Sequence, residues 1–202
     1  MRKKLALLFN ILIVIGELLG LLITIFNSKL EFKYYTIDSN ILALISSLLF
    51  VIYIIKGKKI PNIISVLKYV STLCLTITFL VVILVLAPSY NNGYVYLLFT
   101  GSMFFYHTFC PLLSIISFIF FENHDIKGKK YNFVPLFFTL IYGLIIVYLN
   151  ILKVIEGPYP FLKFYKTPLN KVIITNIFIL VLTYVLSYIL LGLKRKFNYD
   201  EK

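Results

Sequence analysis

Charge is scarce in this sequence: 14% of its 202 residues are charged and 60% are hydrophobic, with a mean hydropathy of +0.94. Soluble domains are nearer half apolar and a quarter charged, and a core surrounded by water cannot absorb this much apolar surface. A water-soluble enzyme or binding module is therefore excluded. Acidic residues are scarcer still, 8 against 20 basic, for a net charge of +12. That excess does not signal a nucleic acid, because Lys and Arg sit in the gaps between apolar runs instead of along one face. The expected partner is the lipid bilayer and its anionic headgroups. The two cysteines, Cys74 and Cys110, both fall in apolar runs, so no disulfide is expected. An isolated His107 and Cys110 make a weak metal-ligand set, and two axial histidines for haem are lacking inside the apolar runs, so neither metal nor cofactor is expected. Tryptophan is absent, and with abundant Ile, Lys, Phe and Asn this fits an AT-rich bacterial genome, whose default address for such a chain is the plasma membrane.

What the sequence does contain is long apolar runs. Crossing the hydrocarbon core takes about 20 residues at about 1.5 Å of helix rise each. Six stretches qualify: 5–26, 36–55, 63–86, 94–121, 133–152 and 171–193. None alternates as a barrel strand would, and lipid tolerates only helices or closed barrels. The expected fold is thus all-α: a polytopic membrane helical bundle of about six transmembrane helices forming one domain over 1–202. The first run lacks a small-x-small cleavage site and reads as an uncleaved span. Basic residues set the orientation. Arg2, Lys3 and Lys4, the loops around Lys56–Lys59 and Lys127–Lys130, and the C-terminal Lys194–Lys202 carry more than twice the Lys and Arg of the opposite flanks. The N- and C-termini are expected to be cytoplasmic. Lys68, one turn into the third span, is expected to snorkel to the inner surface. The last outer loop, through Tyr159 to Pro168, is too apolar for a solvated loop and is expected to lie on or dip into the outer leaflet. No three-plus-three internal repeat is visible, which counts against an inverted-repeat transporter.

Ionisable groups at bilayer depth are functional candidates by default. Counted from the cytoplasmic ends, Glu17 lies about 18 Å deep and His107 about 21 Å, so they share a layer. Asn40, Thr78, Asn150 and Asn176 fall at about 22 to 25 Å and Thr36 at about 28 Å, forming a polar stratum in the outer half. Thr36 and Asn40, four apart, stack on one helical face if the second helix includes Thr36; Thr36 reads equally as its N-cap. The plainer reading of these groups is hydrogen bonding between helices. His124, in Glu122-Asn123-His124-Asp125, reads as a solvated loop residue.

Three segments carry a resemblance. Lys33-Tyr34-Tyr35-Thr36-Ile37-Asp38-Ser39-Asn40 opening the second span, His107-Thr108-Phe109-Cys110-Pro111 in the fourth, and Tyr159-Pro160-Phe161-Leu162 in the last outer loop resemble, in order and spacing, the androgen-induced and androgen-dependent TFPI-regulating membrane proteins and their six-span bacterial relatives. Pro111 lies one residue closer to the histidine than in animal members, and the Trp usual before Tyr-Pro-Phe is absent. The resemblance implies a hydrolase of lipid esters, with a lipid or acyl-ester substrate, a Thr nucleophile at Thr36 and a His at His107.

In that chemistry His107 accepts the Thr36 hydroxyl proton while Thr36 attacks an ester carbonyl. Asn40 is the expected oxyanion donor, Glu17 or Asp38 the group orienting the imidazole, and Tyr159, Pro160 and Phe161 the loop over which substrate enters. Upright helices would leave Thr36 and His107 about 7 Å apart in depth; tilt, or a break near Pro111, is needed to close that gap. The alternative is a non-enzymatic membrane protein, either a small-solute or lipid carrier with Glu17 and His107 as its titrating relay, or a scaffold.

Overall fold

The computed structural model describes residues 1–27, 30–124, 126 and 128–198. Six helices are long and apolar enough to cross a membrane, and a short seventh precedes the fourth of them. In chain order they are α1 (Arg2–Asn27), α2 (Tyr35–Ile55), α3 (Asn62–Ser89), the short α4 (Gly93–Phe99), α5 (Gly101–Phe121), α6 (Lys130–Ile151) and α7 (Leu169–Phe197). Among the described residues there is no strand. The N-terminus and the end of α7 meet at one end of the bundle, where Met1 and Arg2 share a cavity with Phe121 and Glu122, and Phe197 packs its ring on Phe120.

Apolar side chains fill the core and also cover the outside. Large apolar side chains such as Ile15, Phe137, Leu144, Ile174 and Val181 point outward and stay exposed, which is stable only against an apolar solvent. The interior holds paired hydroxyls that join helices where lipid offers no hydrophobic drive. Ser46 and Ser71 lie 2.8 Å apart, Thr72 and Ser114 2.8 Å, Tyr69 and Ser187 2.7 Å, and Ser39 and Thr78 3.2 Å. Gly16 and Gly20, one turn apart on α1, let α5 approach closely: a Cβ at Gly20 would sit 2.7 Å from the Tyr106 ring, and one at Gly16 2.8 Å from the Cys110 sulfur.

Two expectations about the inner end are corrected here. Lys68 does not snorkel out: it is fully buried, donating to Ser47 at 2.9 Å and standing 3.6 Å from the Glu122 carboxylate. His124 is not solvated but buried, bonded to Glu122 through Nε2 and to Ser65 through Nδ1 at 3.0 Å. Asn10 and Ser117 each donate to Glu122 Oε1 at 2.7 Å, and Lys194 donates to the Glu122 backbone carbonyl. A carboxylate turned inward recruits every cation and donor within reach, because an unpaired charge there is far costlier than an ordered side chain.

The run expected as one span over 94–121 is divided. Thr100 is extended and Gly101 adopts a left-handed conformation at φ 49°, open to glycine without a Cβ penalty. Residues Gly93–Phe99 form α4 and the spanning helix begins only at Gly101. Within α5, Phe105–Phe109 widens into a π-helical turn. Pro111 supplies the reason: it has no N–H for the carbonyl of His107, four residues back, and its ring would collide with that carbonyl in an α-helix.

Candidate functional site

Thr36 lies in the first turn of α2, behind Tyr34, which occupies the N-cap position in extended backbone without a side-chain cap. The N-cap reading of Thr36 is thereby corrected: the helix already includes it. Tyr142 locks this turn from α6, accepting from the Tyr35 amide at 3.0 Å and donating to the Lys33 carbonyl at 2.6 Å. The Thr36 amide is one of the helix-initial donors that no preceding turn can satisfy. Its partner is the Tyr159 hydroxyl, at 3.5 Å.

His107 occupies the π turn of α5 and is buried, whereas Thr36 is partly accessible. The division of α4 from α5 explains the ring's orientation. The last carbonyls of α4 have no intrahelical partner, and α5 folds back to supply donors. His107 Nδ1 donates to Leu97 O at 2.8 Å and Thr108 Oγ1 to Leu98 O at 2.8 Å. A carbonyl only accepts, so in the neutral ring Nδ1 carries the hydrogen and Nε2 is left with a free lone pair. That lone pair faces the Thr36 hydroxyl at an Oγ1–Nε2 distance of 3.4 Å. The separation in depth expected of upright helices is therefore closed, by the left-handed Gly101 and the π turn together. The expected break at Pro111 lies instead ten residues earlier, with Pro111 widening the helix and not ending it. At 3.4 Å the pair is longer than a formed O–H···N bond, as is usual before substrate tightens such contacts.

The supporting residues divide differently from expectation. Leu97 O takes the position foreseen for an acid on the imidazole. Glu17 is wholly buried on α1, and neither of its oxygens has a hydrogen-bond partner among the described residues. Asp38 is half-buried in the first turn of α2, where its charge complements the helix N-terminus. Asn40 Nδ2 spends one of its two hydrogens on the Thr36 backbone carbonyl at 2.7 Å.

The oxyanion donors that the geometry offers are the Thr36 amide and the Tyr159 hydroxyl, which also lies 3.5 Å from Thr36 Oγ1. Burial pushes the Tyr159 phenol up to about 12, so it remains a donor at neutral pH. Its ring stacks on Phe161 at 5.2 Å and meets Tyr34 edge-on at 6.1 Å. Tyr159 was placed by sequence in the loop over which substrate enters; its tyrosine hydroxyl beside a conspicuous Tyr-Pro-Phe segment was the signal for a closer role. The Leu97 carbonyl had no side-chain signal at all.

The loop that carries Tyr159 is fastened by the polar stratum. Asn150 donates to Ile155 O at 2.9 Å and accepts from the Phe164 amide at 2.8 Å, and Asn176 donates to Phe161 O at 3.0 Å. Gly157 packs on the Leu162 carbonyl so closely that no Cβ fits. Tyr159, Phe161 and Leu162 fold inward over the bundle end and are buried.

Thr36 and Tyr159 line two cavities at once. The outer one, of 630 Å³, is bounded by His107, Tyr106, Tyr34, Pro158 and Pro160. The inner one is a slot of 60 Å³ among α3, α6 and α7, walled by Ile77, Val81, Gly143, Phe161 and Ile179. Among the described residues no group of three or more His, Cys, Asp or Glu side chains is arranged to hold a metal. No protein-family model, curated protein or solved structure matches this chain, so its functional reading rests on the arrangement of Thr36, His107 and Tyr159.

Proposed function

We propose that this protein is an intramembrane threonine hydrolase of lipid (fatty acyl) esters, a six-span bacterial relative of the androgen-induced and androgen-dependent TFPI-regulating membrane proteins. It resides in the plasma membrane with both termini cytoplasmic, which places Thr36 near the outer surface. The observation that carries the reading is the bare Nε2 of His107, held in that tautomer by Leu97 O, 3.4 Å from the Thr36 hydroxyl.

In the first half-reaction His107 Nε2 takes the Thr36 proton as Oγ1 adds to the ester carbonyl. The resulting oxyanion is stabilised by the Thr36 amide and the Tyr159 hydroxyl. The Leu97 carbonyl stabilises the imidazolium through Nδ1–H. Collapse of the tetrahedral intermediate breaks the ester C–O bond, and His107 returns its proton to the departing alcohol. Water, deprotonated by the same nitrogen, then adds to the acyl-threonine, and its collapse frees the fatty acid and regenerates Thr36. The apolar slot suits the acyl chain and the wider outer cavity the alcohol portion, with the carbonyl where the two meet.

The test is turnover of an acyl-ester panel by purified protein, alongside Thr36→Ala and His107→Ala. Both variants are expected to lose activity by at least about a thousandfold, as members of a nucleophile–base unit do. A serine/threonine-directed covalent reagent should label the wild type and not Thr36→Ala. Equal turnover by all three proteins would reject the assignment and favour a carrier or scaffold.

A further inference from the structure

At the end of the bundle that carries the N-terminus and the end of α7 lies a third cavity, of 910 Å³, lined by none of the residues of the Thr36 site. Its construction begins with the end of α2. Gly57 adopts φ 63°, and the Lys58 amide bonds back to Tyr53 O at 3.0 Å, a glycine-centred helix stop that turns the chain sharply. The turn brings Lys58 and Lys59 opposite Arg2 and Lys3 of α1, so four basic side chains line one concavity. Asn62 and Tyr131 add polar atoms to the same wall, Asn62 donating to the Tyr131 hydroxyl at 3.2 Å.

Among the described residues, the acid at the rim does not offset Lys3, Lys58 and Lys59. The Glu122 carboxylate is fully buried and taken up by Lys68, His124, Asn10 and Ser117. The rest of the lining includes apolar side chains, Ala6 and Phe50 buried and Ile54 and Phe121 partly exposed. A basic mouth joined to an apolar lining suits a ligand with an anionic head and a hydrocarbon tail. A free anion would have no use for that lining, and a neutral lipid none for the mouth.

We infer that this cavity binds the phosphate headgroup of an anionic phospholipid of the surrounding leaflet, with the phosphate among Lys3, Lys58 and Lys59 and the acyl chains along Ile54 and Phe121. Basic pockets between spans at the cytoplasmic surface gain from such headgroups with each cation brought near them.

The experiment is lipid titration of the full-length protein in neutral detergent, read as the thermal unfolding midpoint and as lipid retained in native mass spectra. The lipids are phosphatidylglycerol and phosphatidylcholine of identical chains, with inorganic phosphate and glycerol phosphate as headgroup-only arms. Phosphatidylglycerol is expected to raise the midpoint and remain bound where phosphatidylcholine does not. Lys58→Gln/Lys59→Gln is expected to weaken it about thirtyfold, while Arg195→Gln/Lys196→Gln, outside the cavity, leaves it unchanged. Lys3→Gln, on another element, gives an independent reading if the loop variant fails to fold. Equal retention of the two lipids, equal weakening by the control pair, or the same stabilisation by phosphate alone would each overturn the inference.

Discussion

The Tyr159 hydroxyl stands 3.5 Å from both the backbone nitrogen and the side-chain oxygen of Thr36, although 123 residues separate them in the chain. The proposed nucleophile, its own helix-initial amide and a phenolic donor thus converge at the outer cavity. Tyr159→Phe keeps the ring stacked on Phe161 and removes only the donor. It is expected to lower kcat about a hundredfold to a thousandfold with little change in KM, as loss of one oxyanion donor does. The measurement is steady-state kinetics on the best ester of the panel; an unchanged kcat would remove Tyr159 from the chemistry.

Gly143 borders the slot beyond Thr36, and a Cβ there would meet nothing within 4 Å. A larger side chain at this position therefore fills the slot without disturbing a packed neighbour. Gly143→Leu is expected to shift the preferred acyl chain to shorter lengths while short-chain turnover stays near wild type. Profiling wild type and variant against esters of graded chain length checks this, and parallel profiles would place the acyl chain elsewhere.

At the opposite end, the Lys68 ammonium stands 3.6 Å from a Glu122 carboxylate with no exposed surface on either side chain. Lys68→Met removes one partner of a buried ion pair, which costs about 3–5 kcal/mol in typical cases. Lys68→Met/Glu122→Gln removes both charges and is expected to recover much of that loss. Thermal midpoints in detergent provide the comparison; additive losses would show that the two groups act independently.

The same cluster sets the response to acid. Burial, reinforced by Lys194 and Lys68, holds the His124 imidazole below its usual range against the opposing pull of Glu122. Burial alone would raise the Glu122 carboxyl, but Lys68, His124 and Asn10 outweigh it and hold it below the usual carboxylate range. Both groups have depressed folded values, so on acidification the unfolded chain takes up protons first and stability falls. The His124 contribution is whole above about pH 6.5 and is lost below it, and that of Glu122 declines from about pH 4.3 downward. The midpoint is expected to be level above pH ~7, to fall in two stages on acidification, and to lose only the upper stage in His124→Gln. A midpoint that rises between pH ~7 and ~5 would contradict the His124 assignment, and one that rises below pH ~4 that of Glu122.

Much of the site was legible as types and depths. Thr36, His107, Asn150 and Asn176 stand out because hydrophilic side chains are rare among apolar runs. Their duties were less visible. Asn150 and Asn176 fasten the loop bearing Tyr159, a task that depends on carbonyls with no side-chain signature. Lys68 and His124 were misplaced for one reason: a one-dimensional depth count puts both near the surface, whereas Glu122 turns inward and gathers them.

The sequence by itself determined that the chain forms six helices long and apolar enough to cross a bilayer, because transfer of apolar residues from water is additive along a run and insensitive to how the helices meet. Only the tertiary structure decided that Thr36 and His107 touch. Their meeting depends on a left-handed Gly101, a helix widened ahead of Pro111 and the orphan carbonyl of Leu97 turning the imidazole. Those are properties of backbone geometry, where one residue's dihedral moves everything beyond it, so no sum over residue types contains them.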